Sequence, residues 1–217
     1  MSYLYFAQGL TVTIQDTVNV SAASNTSPIV ITADDHGFLT GDIVQIAGVA
    51  GNTATNGSFV LTYLSANSFG LDNSNGNGAY TSGGVVTHVG HATPGVLVDE
   101  TAFPTLPSFA LQCRIEALAY FSVSVAFADA VDADFVTEQS LVTSQRIGPL
   151  GVASFLTNAP ANCDSLFTAT PADVPTFRIG QPNAYCRLKV YWGQPGAQFE
   201  SAGIPGSSVT YSAWLAY

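Results

Sequence analysis

Charge is what this sequence has least of. Only 9% of its 217 residues are Asp, Glu, Lys or Arg, far below the roughly 25% of an ordinary soluble domain. Cations are the scarcest of all: five Lys and Arg stand against 15 Asp and Glu, for a formal net charge of −10. A surface that neutralises phosphates needs many more, so nucleic acid is not an expected partner. Long apolar runs are missing too. The longest, Ala117–Ala128, is interrupted by Ser122 and Ser124 and is shorter than the ~20 residues of a spanning helix, so no membrane segment is expected. Cysteine is limited to Cys113, Cys163 and Cys186, too widely spaced for a metal site and odd in number, hence no disulfide framework. Reduced thiols in a chain that folds in the cytoplasm are expected. Met1–Phe6 carries neither positive charge nor a long apolar stretch, so no secretory leader is expected.

What is present is apolar and aromatic. Hydrophobic residues make up 47% of the chain, with 13 Phe and 9 Tyr, enough to drive folding rather than disorder. Helical spacing is almost absent, whereas period-two alternation recurs in Leu10–Ile14, Ile43–Ile46, Phe59–Leu64, Phe121–Val125 and Arg187–Trp192. These β-branched and aromatic runs, bounded by Gly, Asn, Asp or Pro, read as strands. The fold class expected is all-β.

Punctuation divides the chain. Ser21–Pro28 is small and polar, Asn73–Gly84 is rich in Gly and Asn, and Ala92–Pro107 holds Pro94, Pro104 and Pro107. Such residues supply turns and withhold ladder donors. The reading is an N-terminal β arm (1–28), a small β module (29–91), a Pro-containing linker (92–107) and a larger β domain (108–217). The arm either precedes the module as the first bead on a string or pairs with the C-terminal domain, making the module an insertion. Turn signals every 8–12 residues and the aromatic end suggest a β-sandwich or jelly roll for 108–217. Charge follows the same division. Residues 1–112 hold seven acids and no cation, and all five cations (Arg114, Arg146, Arg178, Arg187, Lys189) lie beyond them.

The module has its own grammar. Ile29–Ala33 runs into a turn at His36-Gly37, Thr40-Gly41-Asp42 leads into Ile43–Ala47, and Asn56-Gly57 is a two-residue hairpin signal before Ser58–Leu64. Asn67-Ser68 turns the chain into Phe69–Asp72, and Val85–His88 closes the set. Five short strands in so few residues suggest a small five-stranded barrel. With Gly48-Val49, Gly51 and Gly78–Gly84, this order of residues resembles the FCCH repeat. That repeat is named after a region of ubiquitin-activating enzyme E1 and is common in bacteriophage virion proteins. Ubiquitin activation is not implied, because no adenylation domain or catalytic cysteine context accompanies it. The resemblance implies a non-enzymatic module of a tailed-phage structural protein.

Several residues could carry chemistry. His88 and His91 with Asp99 could bind a metal, but residues three apart on a strand point to opposite faces. His36 reads as a structural turn residue. Asp129, Asp132 and Asp134 could bridge a hard cation, yet the segment lacks the Gly and distal Glu of a calcium hand and reads as a solvated acidic turn. Asp72–Asn77 resembles a calcium loop even less. No nucleophile elbow, phosphate loop or zinc-protease motif occurs. No enzyme activity, metal or cofactor is expected.

The resemblance and composition together lead to a bacteriophage virion structural protein, a capsid decoration (cement) protein on the head. A tail, baseplate or short receptor-binding spike component is the first alternative, and a free carbohydrate-binding or adhesive β protein the second. The expected partners are further copies of the chain, as a homotrimer, and the major capsid protein, in a virion assembled in the bacterial cytoplasm. Tyr211, Trp214 and Tyr217 are the expected oligomer or shell contact, because their strand would be apolar on both faces.

Overall fold

The computed structural model describes residues 3–98, 108–115, 119–128, 137–147, 164–169, 184–192, 205–206 and 208–216. Regular structure among them is β-strand apart from one 3-10 turn, Thr53–Thr55, so the chain is all-β as its alternation predicts. No described helix is long and apolar enough to cross a membrane. Proximity divides the chain into two compact units. One is Ile14–Ala92, and the other combines Met1–Thr13 with Thr93–Tyr217.

The Ile14–Ala92 unit is built from short strands: β2 (Val18–Asn19), β3 (Ala22–Ala23), β4 (Ile29–Thr32), β5 (Asp42–Ala47), β6 (Gly57–Ser65), β7 (Ser68–Leu71) and β8 (Val85–Ala92). All pairings are antiparallel and run β8-β5-β6-β7-β4. The sheet curls as a half-barrel, and its two outer strands are both met by one stretch of chain. β2 pairs with β8, and β3, two residues further on, pairs with β4. Between them Val20 N–H donates to Gly84 O and Ser21 N–H to Thr32 O, so backbone groups at both edges are paired rather than left open to another strand. Ile29, Ile31, Phe38, Val44, Ile46, Leu61, Phe69 and Val86 fill the concave side. In β4 the period-two pattern maps directly onto burial, with Ile29 and Ile31 inside and Val30 and Thr32 partly exposed.

One local reading needs correction. Asn56-Gly57 is not a two-residue hairpin turn, because β5 and β6 are joined by the whole stretch 48–56, including the 3-10 turn. Asn56 instead clamps that loop. Its Oδ1 accepts from Val49 N–H (2.9 Å) and its Nδ2 donates to Val49 O (2.9 Å). The tight two-residue connection is at Ala66-Asn67, between β6 and β7. The compact unit groups the module's strands with the chain from Ile14 onwards.

In the second unit most described strands are longer: β1 (Tyr3–Thr13), β9 (Val96–Val98), β10 (Ser108–Ile115), β11 (Ala119–Ala128), β12 (Thr137–Ile147), β13 (Asp164–Ala169), β14 (Ala184–Tyr191) and β15 (Ser208–Ala216). One antiparallel ladder runs β1-β15-β10-β13. Another runs β12-β11-β14-β9. The N-terminal β1 thus hydrogen-bonds along the last strand, from Tyr3 opposite Ala216 to Thr13 opposite Ser208.

Candidate functional site

The chemistry-bearing side chains of the first unit converge on one carboxylate. Asp42 heads an apolar strand and is only 2% exposed, a placement that a charge tolerates only with partners. Leu39 N–H donates to its Oδ2 at 2.8 Å, while its own N–H donates to Leu39 O, closing the turn Leu39–Asp42. His91 Nδ1 lies 3.0 Å from Oδ1, and His88 Nε2 lies 3.4 Å from the same oxygen. Burial pushes the Asp42 carboxyl up. Hydrogen bonds from His88 and His91, the attraction of His88 and the Leu39 N–H outweigh it and hold the group at about 2, below its ordinary 3.8.

The two histidines reach one acid because β8 is not regular. Asp42 pairs with His91 and Ile43 with Gly90, but Val44 pairs with His88, which leaves Val89 as an extra residue. A bulge of this kind re-aims side chains across a strand. The expectation that His88 and His91 point to opposite faces is therefore overturned. Gly41 makes the approach possible: a Cβ there would lie 2.8 Å from Ala92 O and 3.0 Å from the His91 ring.

Hydrogen bonding fixes the ring state of His88. Gln15 N–H donates to Nδ1 at 3.1 Å, so the neutral ring carries its proton on Nε2, 3.1 Å from Gly90 O. His36 is held in the same way. Its Nδ1 accepts from Phe38 N–H (3.0 Å), and its Nε2 faces Ser65 O at 2.9 Å. The Phe38 ring stacks on His36 at 5.3 Å between centroids and meets His88 edge-on at 5.5 Å. His36 is thus a buried turn residue, 2% exposed, whose ring joins the turn after β4 to the strands beyond. Both nitrogens of His36 and of His88 face partners within the fold, which leaves neither ring poised for ligation. Among the described residues no three His, Cys, Asp or Glu side chains are arranged to hold a metal ion.

A second polar network lies in the Gly/Asn loops. Asn52, fully buried, donates from Nδ2 to Ser24 O and accepts Asn77 N–H on Oδ1. Asn77 in turn accepts Ala54 N–H and donates to Thr53 Oγ1. Buried Ser74 accepts Ile29 N–H and donates to Leu71 O. Asp72, the head of the stretch weighed as a calcium loop, accepts from Thr62 Oγ1 at 2.8 Å. These side chains take the place of ladder bonds where the chain turns. Leu39, Tyr63, Leu64 and Val85 are the module's exposed large apolar side chains. Tyr63 N–H donates to Thr40 Oγ1, which fastens the turn bearing Leu39 to β6.

Of the other residues singled out, Asp99, Asp129, Asp132, Asp134, Cys163 and Tyr217 lie outside the described residues. Tyr211 and Trp214 are on β15, with Tyr211 opposite Leu10 and Cys113, and Trp214 opposite Tyr5 and Ala110. The residue that sequence reasoning missed is Asp42. A signal was present: an acid directly before the apolar run Ile43-Val44, in a half of the chain whose basic side chains are all histidines.

The first unit is therefore a small curled β module in which the buried side chains of His36, Asp42, Asn52, Ser74 and His88 are engaged within the fold. In agreement with that, a family model for the ubiquitin-activating enzyme E1 FCCH domain matches residues 25–90, less than a third of the chain. No curated protein matches the chain.

Proposed function

We propose that this chain is a non-enzymatic structural protein of a bacteriophage virion, a decoration protein of the head. The observation that carries the reading is the FCCH-like module at 25–90, a type of repeat common in phage virion proteins. Its His36 and His88 are consumed in holding turns and strands, as befits a building block. The scarcity of charge, and its segregation into a cation-free first half and a second half with all five cations, support a protein that seats one unit on a shell and turns the acidic one outward. In this reading the ladders of the second unit form a sandwich against the capsid protein and against two further copies of the chain. Both edges of β15 are already hydrogen-bonded, to β1 and β10. A contact through Tyr211 and Trp214 would therefore be side-chain packing on a sheet face rather than strand addition.

The test is negative-stain imaging of virions labelled with antibody against this chain. Label spread over the head surface is expected. Label confined to the tail, baseplate or spike would move the protein there, and binding to a glycan array with no virion label would make it a free adhesive protein. Size exclusion with light scattering should find a homotrimer; a stable monomer at micromolar concentration overturns that part.

A further inference from the structure

The module contains three Asn-Gly steps: Asn56-Gly57, Asn75-Gly76 and Asn77-Gly78. In any of them the glycine nitrogen, unhindered by a side chain, can attack the Asn amide carbon. The fold treats the three very differently. Asn56 holds Val49 with both ends of its amide, and its ψ of 119° keeps the next nitrogen far from the eclipsed arrangement that ring closure needs. The Asn77 amide is likewise tied at both ends, by Ala54 N–H and Thr53 Oγ1. The N–H of Gly78 is bound to Asn25 Oδ1 and that of Gly76 to Thr26 O, so the side-chain ties, not the glycine nitrogens, set the three steps apart. Asn75 is exposed, and its side chain enters no hydrogen bond among the described residues. Its neighbours are anchored: Ser74 is buried with both hydroxyl roles used, and Gly76 N–H donates to Thr26 O at 3.0 Å.

We propose that Asn75 is a site of spontaneous covalent modification, the one Asn-Gly step of the three that deamidates in the folded protein. The Gly76 nitrogen forms a bond to Cγ of Asn75, the bond from Cγ to Nδ2 breaks, and ammonia leaves with the proton from Gly76 N. Water then opens the five-membered imide at either carbonyl, leaving an aspartyl or isoaspartyl residue at position 75. Either product adds a negative charge to a unit that has no cation. The isoaspartyl form also inserts a methylene into the main chain between two anchored residues. Gly76 is packed so closely on Asn25 that even a Cβ would meet its Cα at 2.8 Å. The lengthened loop therefore loosens its contact with Asn25-Thr26, the stretch that follows β3. The modification is a slow clock written into the loop, and it does not depend on where the protein acts.

Incubating the full chain at mildly alkaline pH and mapping its peptides by mass spectrometry tests this. The amide-to-acid mass change should accumulate at position 75 at least about tenfold faster than at 56 or 77, since two side-chain hydrogen bonds must first break at each of those. In denaturant the three steps should react at similar rates. Asn75→Gln, a change at an exposed position, should abolish the acidic species seen by isoelectric focusing of the folded protein. Equal or faster reaction at position 56 or 77 in the folded chain would overturn the proposal. So would an unmodified position 75 under conditions where the denatured chain reacts, or an acidic species that persists in Asn75→Gln.

Discussion

The two units solve the same problem, pairing the backbone of an all-β chain, with different materials. In the unit made of Met1–Thr13 and Thr93–Tyr217, strands of eight to 11 residues such as β1, β10, β11, β12 and β15 pair their N–H and C=O groups mainly along long backbone ladders, with bulges in β1/β15 and β11/β12. In Ile14–Ala92 four of the seven strands span four residues or fewer, and much of the chain is turn. There the pairing is completed by side chains: Asn52, Asn56, Asn77, Ser74, His36, His88 and Asp42 each bond backbone groups. A ladder tolerates substitution because its bonds belong to the backbone. A side-chain clamp does not, because one replacement leaves buried donors unpaired. The contrast predicts that the small unit is the more sensitive to point changes, and that its sensitivity is local.

The largest effect is expected at the centre of that network. Asp42→Ala leaves the Leu39 N–H and two histidine rings without their shared acceptor in a buried site, which should destabilise the unit by about 3–5 kcal/mol. Hydrogen exchange should show lost protection across 36–47 and 85–92 and unchanged protection in β1 and β15. Equal loss in both units would break the comparison.

A smaller effect tests crowding in the loops. At Gly51, where φ is +83°, a Cβ would lie 2.0 Å from Ala79 O. Gly51→Ala should cost about 3 kcal/mol, combining strain with a forced shift of the loop. Gly206 has a nearly identical φ of +81° but nothing within 4 Å, so Gly206→Ala should cost only about 1 kcal/mol. Urea titrations of the two variants would settle it, and similar midpoints would show that conformation, not packing, decides both.

Acid provides the next test. The Asp42 carboxyl sits at about 2 in the folded chain against 3.8 ordinarily. Its contribution is therefore complete above about pH 4 and is lost as pH falls towards 2. The loss is of order 2 kcal/mol. Asp42→Asn should flatten that part of the stability–pH curve, measured by urea unfolding from pH 5 to 2. An unchanged slope would show that other carboxylates carry the acid sensitivity.

The smallest effect concerns the cysteines. Cys113 faces Ser165 and Tyr211 across its ladder, and Cys186 faces Phe127 and Val96, so neither pairs across strands with another cysteine. Reductant should move the melting temperature by less than about 3 °C, and EDTA equally little. Alkylation of the denatured, unreduced protein should modify all three thiols. One protected pair would refute folding with free thiols.

Much of the fold was legible beforehand. Alternation in Leu10–Ile14, Phe59–Leu64 and Arg187–Trp192 announced strands that are present, because a pleated backbone imposes period two on any half-buried run. The order of His36-Gly37, Thr40-Gly41-Asp42 and Asn67-Ser68 was enough to single out the module. The role of Asn56 was not legible. Asn-Gly has the same local preference whether it makes a tight hairpin or ends a long loop, and only contact with Val49 distinguishes the two.

The sequence by itself determined the all-β class, the position of the module and the structural part played by His36, since each follows from local periodicity or from turn chemistry within a few residues. Tertiary structure decided what depends on residues far apart in the chain. The stretch 18–23 meets both edges of the curled sheet, β1 lies along β15, and a single extra residue at Val89 brings His88 and His91 onto Asp42. A bulge leaves no mark in hydrophobic periodicity, and a strand pairing across some two hundred residues has no local signature at all. Both are settled only when buried polar groups must find partners.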